Sequence, residues 1–230
     1  MSLDIYVMPL WRFKAGDFSS PVERATGLRP KIVTPDGFVE RPTSVGWLAR
    51  RRARREVASL RQAVGTACGT RVAWRDDGDT VFTGQGNDVL PLKAYAQWLD
   101  FRDRFPVFEP PPDDGYAEHP VWKVDYENVS LISCPHLIGH SFFSGYLLPC
   151  EFDRPVEAEP YLIFNHWPAS HSVGSSPRLL RELEGIAVHL GPTEEIPDDD
   201  PLFPVKIAFR QLKKVVLLSC RHGLPVILWG

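Results

Sequence analysis

The chain has 230 residues, 43% of them hydrophobic and 24% charged, with a formal net charge of −3. Those proportions are ordinary for a soluble globular protein, and a chain this long buries roughly 70–75% of its unfolded surface, so it needs neither disulfides nor a structural metal to stand. No run approaches the ~18–20 apolar residues of a membrane span, and Asp4 interrupts any apolar stretch of a signal peptide.

The first predicted element is a strand over Leu3-Asp4-Ile5-Tyr6-Val7-Met8, which alternates and is β-rich. A loop rich in Gly, Pro and Ser follows, to about Pro42. The clearest helix is expected over about 44–64, where Ala49, Ala53, Val57, Leu60 and Val64 recur at helical spacing. Gly65 and Gly69 are placed to stop it. Asp76-Asp77-Gly78-Asp79, between Arg71–Arg75 and Thr80–Thr83, predicts a tight hairpin, because Asp-Gly tolerates positive φ. A second helix is expected over about 91–104, opened by Pro91.

The proline-rich stretch 105–120 reads as a loop. It is the candidate internal boundary of what is otherwise a single globular domain over residues 1–230. Val129–Cys134 fits a strand or a short helix. Residues 141–152 and 161–166 read as extended. A third helix starts at Ser176-Pro177, with Ser176 as N-cap, and ends at Gly191. Residues 193–200 carry five acids and no base, and read as a solvated loop. A fourth helix covers about 203–221, stopped by Gly223, and Pro225–Trp229 reads as a buried last strand. The expected class is α+β: a mixed sheet with at least one β-hairpin, packed by about four helices.

Charge is unevenly spread. Residues 1–75 hold 14 Lys+Arg and 6 Asp+Glu, a net of +8, and residues 76–230 hold 12 and 23, a net of −11. Arg50-Arg-Arg-Ala-Arg-Arg55 lies opposite the Ala49/Val57/Leu60 stripe, so Arg51 and Arg54 are candidate contacts for an acidic protein partner. A nucleic-acid role is disfavoured by the pI of about 6.2, and a solvated face explains the arginines as well.

The chemistry-bearing residues are mostly histidines, six of the seven falling between His119 and His189. In Cys134-Pro-His136-Leu-Ile-Gly-His140 the two histidines have the i, i+4 spacing of a bis-His metal site, with Cys134 as a third candidate ligand. Leu137 stands where the zinc-protease pattern needs Glu, and neutral histidines donating to backbone carbonyls fit equally. His166 and His171 flank Trp167 after an expected strand. With His136 and His140 they form the candidate catalytic set, in which a histidine would act as general base, assisted by Cys134 or Asp125. Ser175, Ser176 and Arg178 at a helix start, with Trp167 beside them, are candidate binding residues for an anion.

No catalytic motif is complete. Gly139-His-Ser-Phe-Phe143 lacks the second glycine of a nucleophile elbow, and Gly84-Gln-Gly86 lacks the third glycine of a dinucleotide loop. No cofactor is implied. Four cysteines (Cys68, Cys134, Cys150, Cys220) without a CxxC pair read as reduced thiols of a cytoplasmic protein.

The opening Leu3-Asp4-Ile5-Tyr6-Val7, with Trp11-Arg12-Phe13 and Gly16-Asp17, resembles the start of certain uncharacterised bacterial proteins. The Gly174-Ser175-Ser176 helix start and the closing His222-Gly223-Leu224-Pro225 are similar too. The likeness covers about a fifth of the chain, and in style it extends to toxin-immunity proteins. It implies no function for any residue. The leading expectation is a non-catalytic protein that binds a macromolecule, immunity-like or regulatory, with a protein partner of unspecified identity and no membrane role. The alternative is a small hydrolase-type or metal-dependent enzyme built on the histidines.

Overall fold

The computed structural model describes residues 3–18, 26, 31–34, 37–40, 45–124, 132–158 and 171–229. Among these, six strands form one mixed sheet in the order β4-β1-β8-β5-β7-β6. They are β1 (Leu3–Val7), β4 (Phe82–Gly86), β5 (Ser144–Leu148), β6 (Val156–Ala158), β7 (His171–Ser175) and β8 (Val226–Trp229). Of the pairs in this sheet, β5 with β7 is parallel and the others are antiparallel. A separate hairpin joins β2 (Lys31–Thr34) and β3 (Gly37–Glu40). The α+β expectation, with a mixed sheet and a hairpin, holds.

Both faces of the sheet are covered, and residue alternation decides what each face meets. Leu3, Ile5 and Val7 point to one core with Leu147, Val226 and Leu228. That core is roofed by α3 (Leu90–Asp100), the short α4 (Pro135–Gly139), α5 (Ser176–Leu190) and α6 (Phe203–His222). Tyr146, Leu148, Val173 and Ile227 point the other way, to α1 (Leu10–Lys14) and the long α2 (Trp47–Cys68). The buried residues of α2 are Ala53, Val57, Leu60 and Val64, the stripe its sequence spacing predicts. Phe108, Tyr116 and Val121 join the first core, and Phe108 meets Tyr95 of α3 edge to face at 5.1 Å.

The four long helices fall where periodicity puts them, with shifted ends. The helix expected from 44 begins at Trp47 and runs through Gly65 to Cys68, with Gly69 left-handed beyond it at φ 63. In α5 the N-cap is Ser175 rather than Ser176: its Oγ accepts the Arg178 N–H at 3.2 Å. Ser176 is instead buried, its Oγ 2.8 Å from Ser219 Oγ of α6.

The hairpin expected around Asp76–Asp79 does not form. Arg71–Arg75 is not a strand, and its backbone is satisfied elsewhere: Arg75 N–H donates to the Gly223 carbonyl and the Trp74 carbonyl accepts from Arg61. Phe82–Gly86 pairs with β1 in its place. The observed hairpin, β2–β3, lies in the stretch read as loop. The extended segment expected at 161–166 lies outside the described residues, as do 129–131, and 132–134 is neither strand nor helix. Among the described residues no helix is long and apolar enough to cross a membrane.

Candidate functional site

The short helix α4 carries His136 and His140 into the interior, where both are fully buried. His136 Nδ1 accepts the Ser175 N–H at 3.1 Å, and its Nε2 lies 2.9 Å from the Phe152 carbonyl. His140 Nδ1 accepts the Phe142 N–H at 3.0 Å, and its Nε2 lies 3.2 Å from the Tyr146 carbonyl. In each ring one nitrogen must accept and the other donate, which fixes the neutral Nε2–H tautomer. Burial depresses both basicities, that of His140 to about 3. His119 repeats the arrangement between the Val121 N–H and the Glu109 carbonyl.

These contacts leave neither ring of α4 a free nitrogen for a metal or a substrate proton. Cys134 is buried too, and burial pushes its thiol up to about 12, so it is not a thiolate ligand. Among the described residues no group of three or more His, Cys, Asp or Glu side chains comes together to hold a metal ion. His166, Trp167 and Asp125 lie outside the described residues. His171 is described only as backbone, in β7 opposite Ala158 of β6.

The start of α5 is likewise occupied. Ser175 spends its N–H on His136 and its hydroxyl on Arg178 N–H, and both Ser175 and Ser176 are fully buried. Arg178 pairs with Asp153 and Glu151, and Arg181 binds Glu151 through two contacts of 2.8 and 2.7 Å. The positive charge expected to hold an anion is thus already matched by two carboxylates. Glu182 of α5 closes the network from below: its two carboxylate oxygens accept the His136 and Leu137 N–H groups at 2.9 and 2.8 Å. Burial raises its pKa to about 7.

The helical layer shows solvent both signs of charge: Arg181, Arg210, Lys214 and Arg221 on its helices, and carboxylates in the turns and loops beside them. Tyr95 of α3 joins two acidic stretches: its ring meets Phe108, beside Glu109, and its hydroxyl donates to the His189 carbonyl at the end of α5. The segments that follow these contacts in the chain carry Asp103, Glu109 and Glu118 in one and Glu194, Glu195, Asp198 and Asp199 in the other. All seven are exposed, and none is in an ion pair among the described residues. Asp200 is different, held by Lys206 at 2.6 Å. Sequence reasoning treated 193–200 as a wet loop and did not join it to 103–118. The available signal was the −11 of residues 76–230. A groove of about 740 Å³ along α6 is lined by Glu194 together with Arg210, Lys213, Lys214 and Arg221, around Leu217.

The fold and these sites define an α+β protein with a sealed, neutral histidine interior and exposed carboxylates in the loops beside its helical layer. The chain belongs to the family described as "Putative DNA-mimic protein", whose model matches residues 1–228. No curated protein and no solved structure matches it. The family corrects the immunity-like or regulatory reading, and with it the histidine enzyme offered as the alternative. The partner expectation is corrected as well. A partner of unspecified identity, met through the Arg51/Arg54 face, was drawn from the basic end of the chain, whereas a mimic of DNA works through negative charge.

Proposed function

We propose that the protein acts as a DNA mimic, presenting its carboxylate rim to the cationic surface of a DNA-binding protein. Membership of the family over residues 1–228 carries this reading. Seven exposed acids without an ion-pair partner among the described residues support it: they stand in turns and loops beside the helical layer, where arginines or lysines of a partner can reach them. Fixed negative charge also steers a cationic partner and makes the encounter salt-dependent.

The test is affinity capture from the native host by the full chain, followed by assay of each captured protein for duplex binding. The reading expects the captured set to be DNA-binding proteins, lost when Glu195, Asp198 and Asp199 are changed together to Gln, Asn and Asn. A captured set without DNA-binding activity, or one indifferent to that change, contradicts it.

A further inference from the structure

We propose that the solvent face of α2 binds duplex DNA through its arginines. Five arginines stand within Arg50–Arg55, interrupted only by Ala53, and all five are exposed. At ~100° per residue, the buried line of Ala53, Val57, Leu60 and Val64 places Arg51 and Arg55 on the outermost line of the helix. Successive residues on that line are about 5–6 Å apart. Arg50 and Arg54 lie to one side of it and Arg52 to the other.

Little inside the protein uses this charge. Arg52 pairs with Glu56 at 3.0 Å, and Arg54 lies over the Trp11 ring at 5.0 Å. Among the described residues Arg50, Arg51 and Arg55 have no carboxylate partner. All five cations are Arg rather than Lys, and the guanidinium fork matches two phosphate oxygens at once.

The occupant follows from shape and charge. An interfacial membrane helix must sink an apolar face into lipid, but the apolar face of α2 is buried against the sheet. Its exposed large hydrophobic residues are Trp47 and Leu48, both in the first turn. A polyphosphate backbone needs only the arginine face. The sheet separates that face from the carboxylate rim, so the acids of the helical layer do not cover it. One molecule can thus touch DNA with α2 while its rim faces a DNA-binding protein. The α2 contact itself does not depend on the mimic reading, since its test contains no third component.

The test is fluorescence anisotropy of a short labelled duplex with the full chain, repeated as salt is raised. Three free arginines predict a slope of log K against log salt of about −3, at about −0.9 for each phosphate neutralised. Arg51→Glu with Arg55→Glu should weaken binding by about tenfold or more at low salt and flatten the slope by about 2. Arg51→Gln with Arg55→Gln should flatten it in the same direction, which covers failure of the reversal variant to fold. Arg221→Glu, on the other layer, should leave binding unchanged. The proposal is overturned by absence of binding at low salt, or by binding that survives both double variants. Tighter binding to vesicles containing phosphatidylserine than to the duplex also overturns it.

Discussion

His136 and Ser175 are joined across the interior: the imidazole Nδ1 accepts the Ser175 N–H at 3.1 Å, at the point where β7 ends and α5 begins. The same ring reaches the Phe152 carbonyl, so one histidine ties together three segments of chain. This is a structural use of imidazole, and it can be measured.

Replacing His136 or His140 by Ala removes a buried ring and its hydrogen bonds to two backbone groups. Each change should cost about 3–5 kcal/mol in a urea titration. Metal content of the purified wild type and of each variant should be equally low. Variants of unchanged stability would show that the rings are not holding the core.

Gly174 of β7 lies between the two histidines. A Cβ there would come within 2.8 Å of Leu147 Cδ2 and 3.1 Å of His140 Cδ2. Gly174→Ala should therefore destabilise by about 1–3 kcal/mol through overpacking. Gly185, exposed on α5, has open space instead: a Cβ added to it would meet nothing within 4 Å. Gly185→Ala should stabilise by about 0.5–1 kcal/mol. Opposite signs from two melting curves are the expected result; equal signs refute the packing argument.

Stability should depend on pH through the buried His140 and the half-buried Glu182, acting in opposite senses. His140 has its basicity depressed from 6.5 to about 3 in the fold, so between those values the unfolded chain binds the extra proton and stability falls as pH falls. Glu182 has its pKa raised from 4.5 to about 7, so between those values the fold holds the extra proton and stability falls as pH rises. The two trends oppose each other between about 4.5 and 6.5. Glu182→Gln removes the second, and the urea midpoint should then climb more steeply with pH over that window than in wild type. An identical or shallower climb would refute the assignment.

Much of the fold is legible in the chain. Leu179, Leu183, Ile186 and Leu190 keep a helical period, and Val226–Leu228 is a bare apolar run, so α5 and β8 announce themselves. The hairpin is harder. Asp77-Gly78 carries a strong local turn signal, yet the Arg75 N–H goes to Gly223, near the far end of the chain, and no local rule contains that contact. The histidines are hidden for the same reason. The partners of His136 are backbone groups 16 and 39 residues away, while its i, i+4 spacing to His140 suggested a metal. The two acidic runs lie far apart in sequence, and no local pattern shows that Tyr95 touches both Phe108 and His189, the residues next to or leading into them.

Ser175→Ala removes the hydroxyl that accepts the Arg178 N–H at the head of α5. It should cost about 1 kcal/mol, without altering any binding through the rim. Loss of partner binding in this variant at full helicity would place the contact at α5 instead.

The central claim is that the rim stands in for DNA. The direct measurement is displacement: a captured DNA-binding partner is saturated with labelled duplex, and the full chain carrying Arg51→Gln and Arg55→Gln, so that α2 does not take up the duplex, is titrated in while anisotropy is followed. The account predicts release of the duplex near one equivalent of protein, weakening as salt rises, and no release by the Glu195→Gln, Asp198→Asn, Asp199→Asn variant. A duplex that stays bound while the protein joins it on the partner, or release that the triple variant performs equally well, would contradict the account.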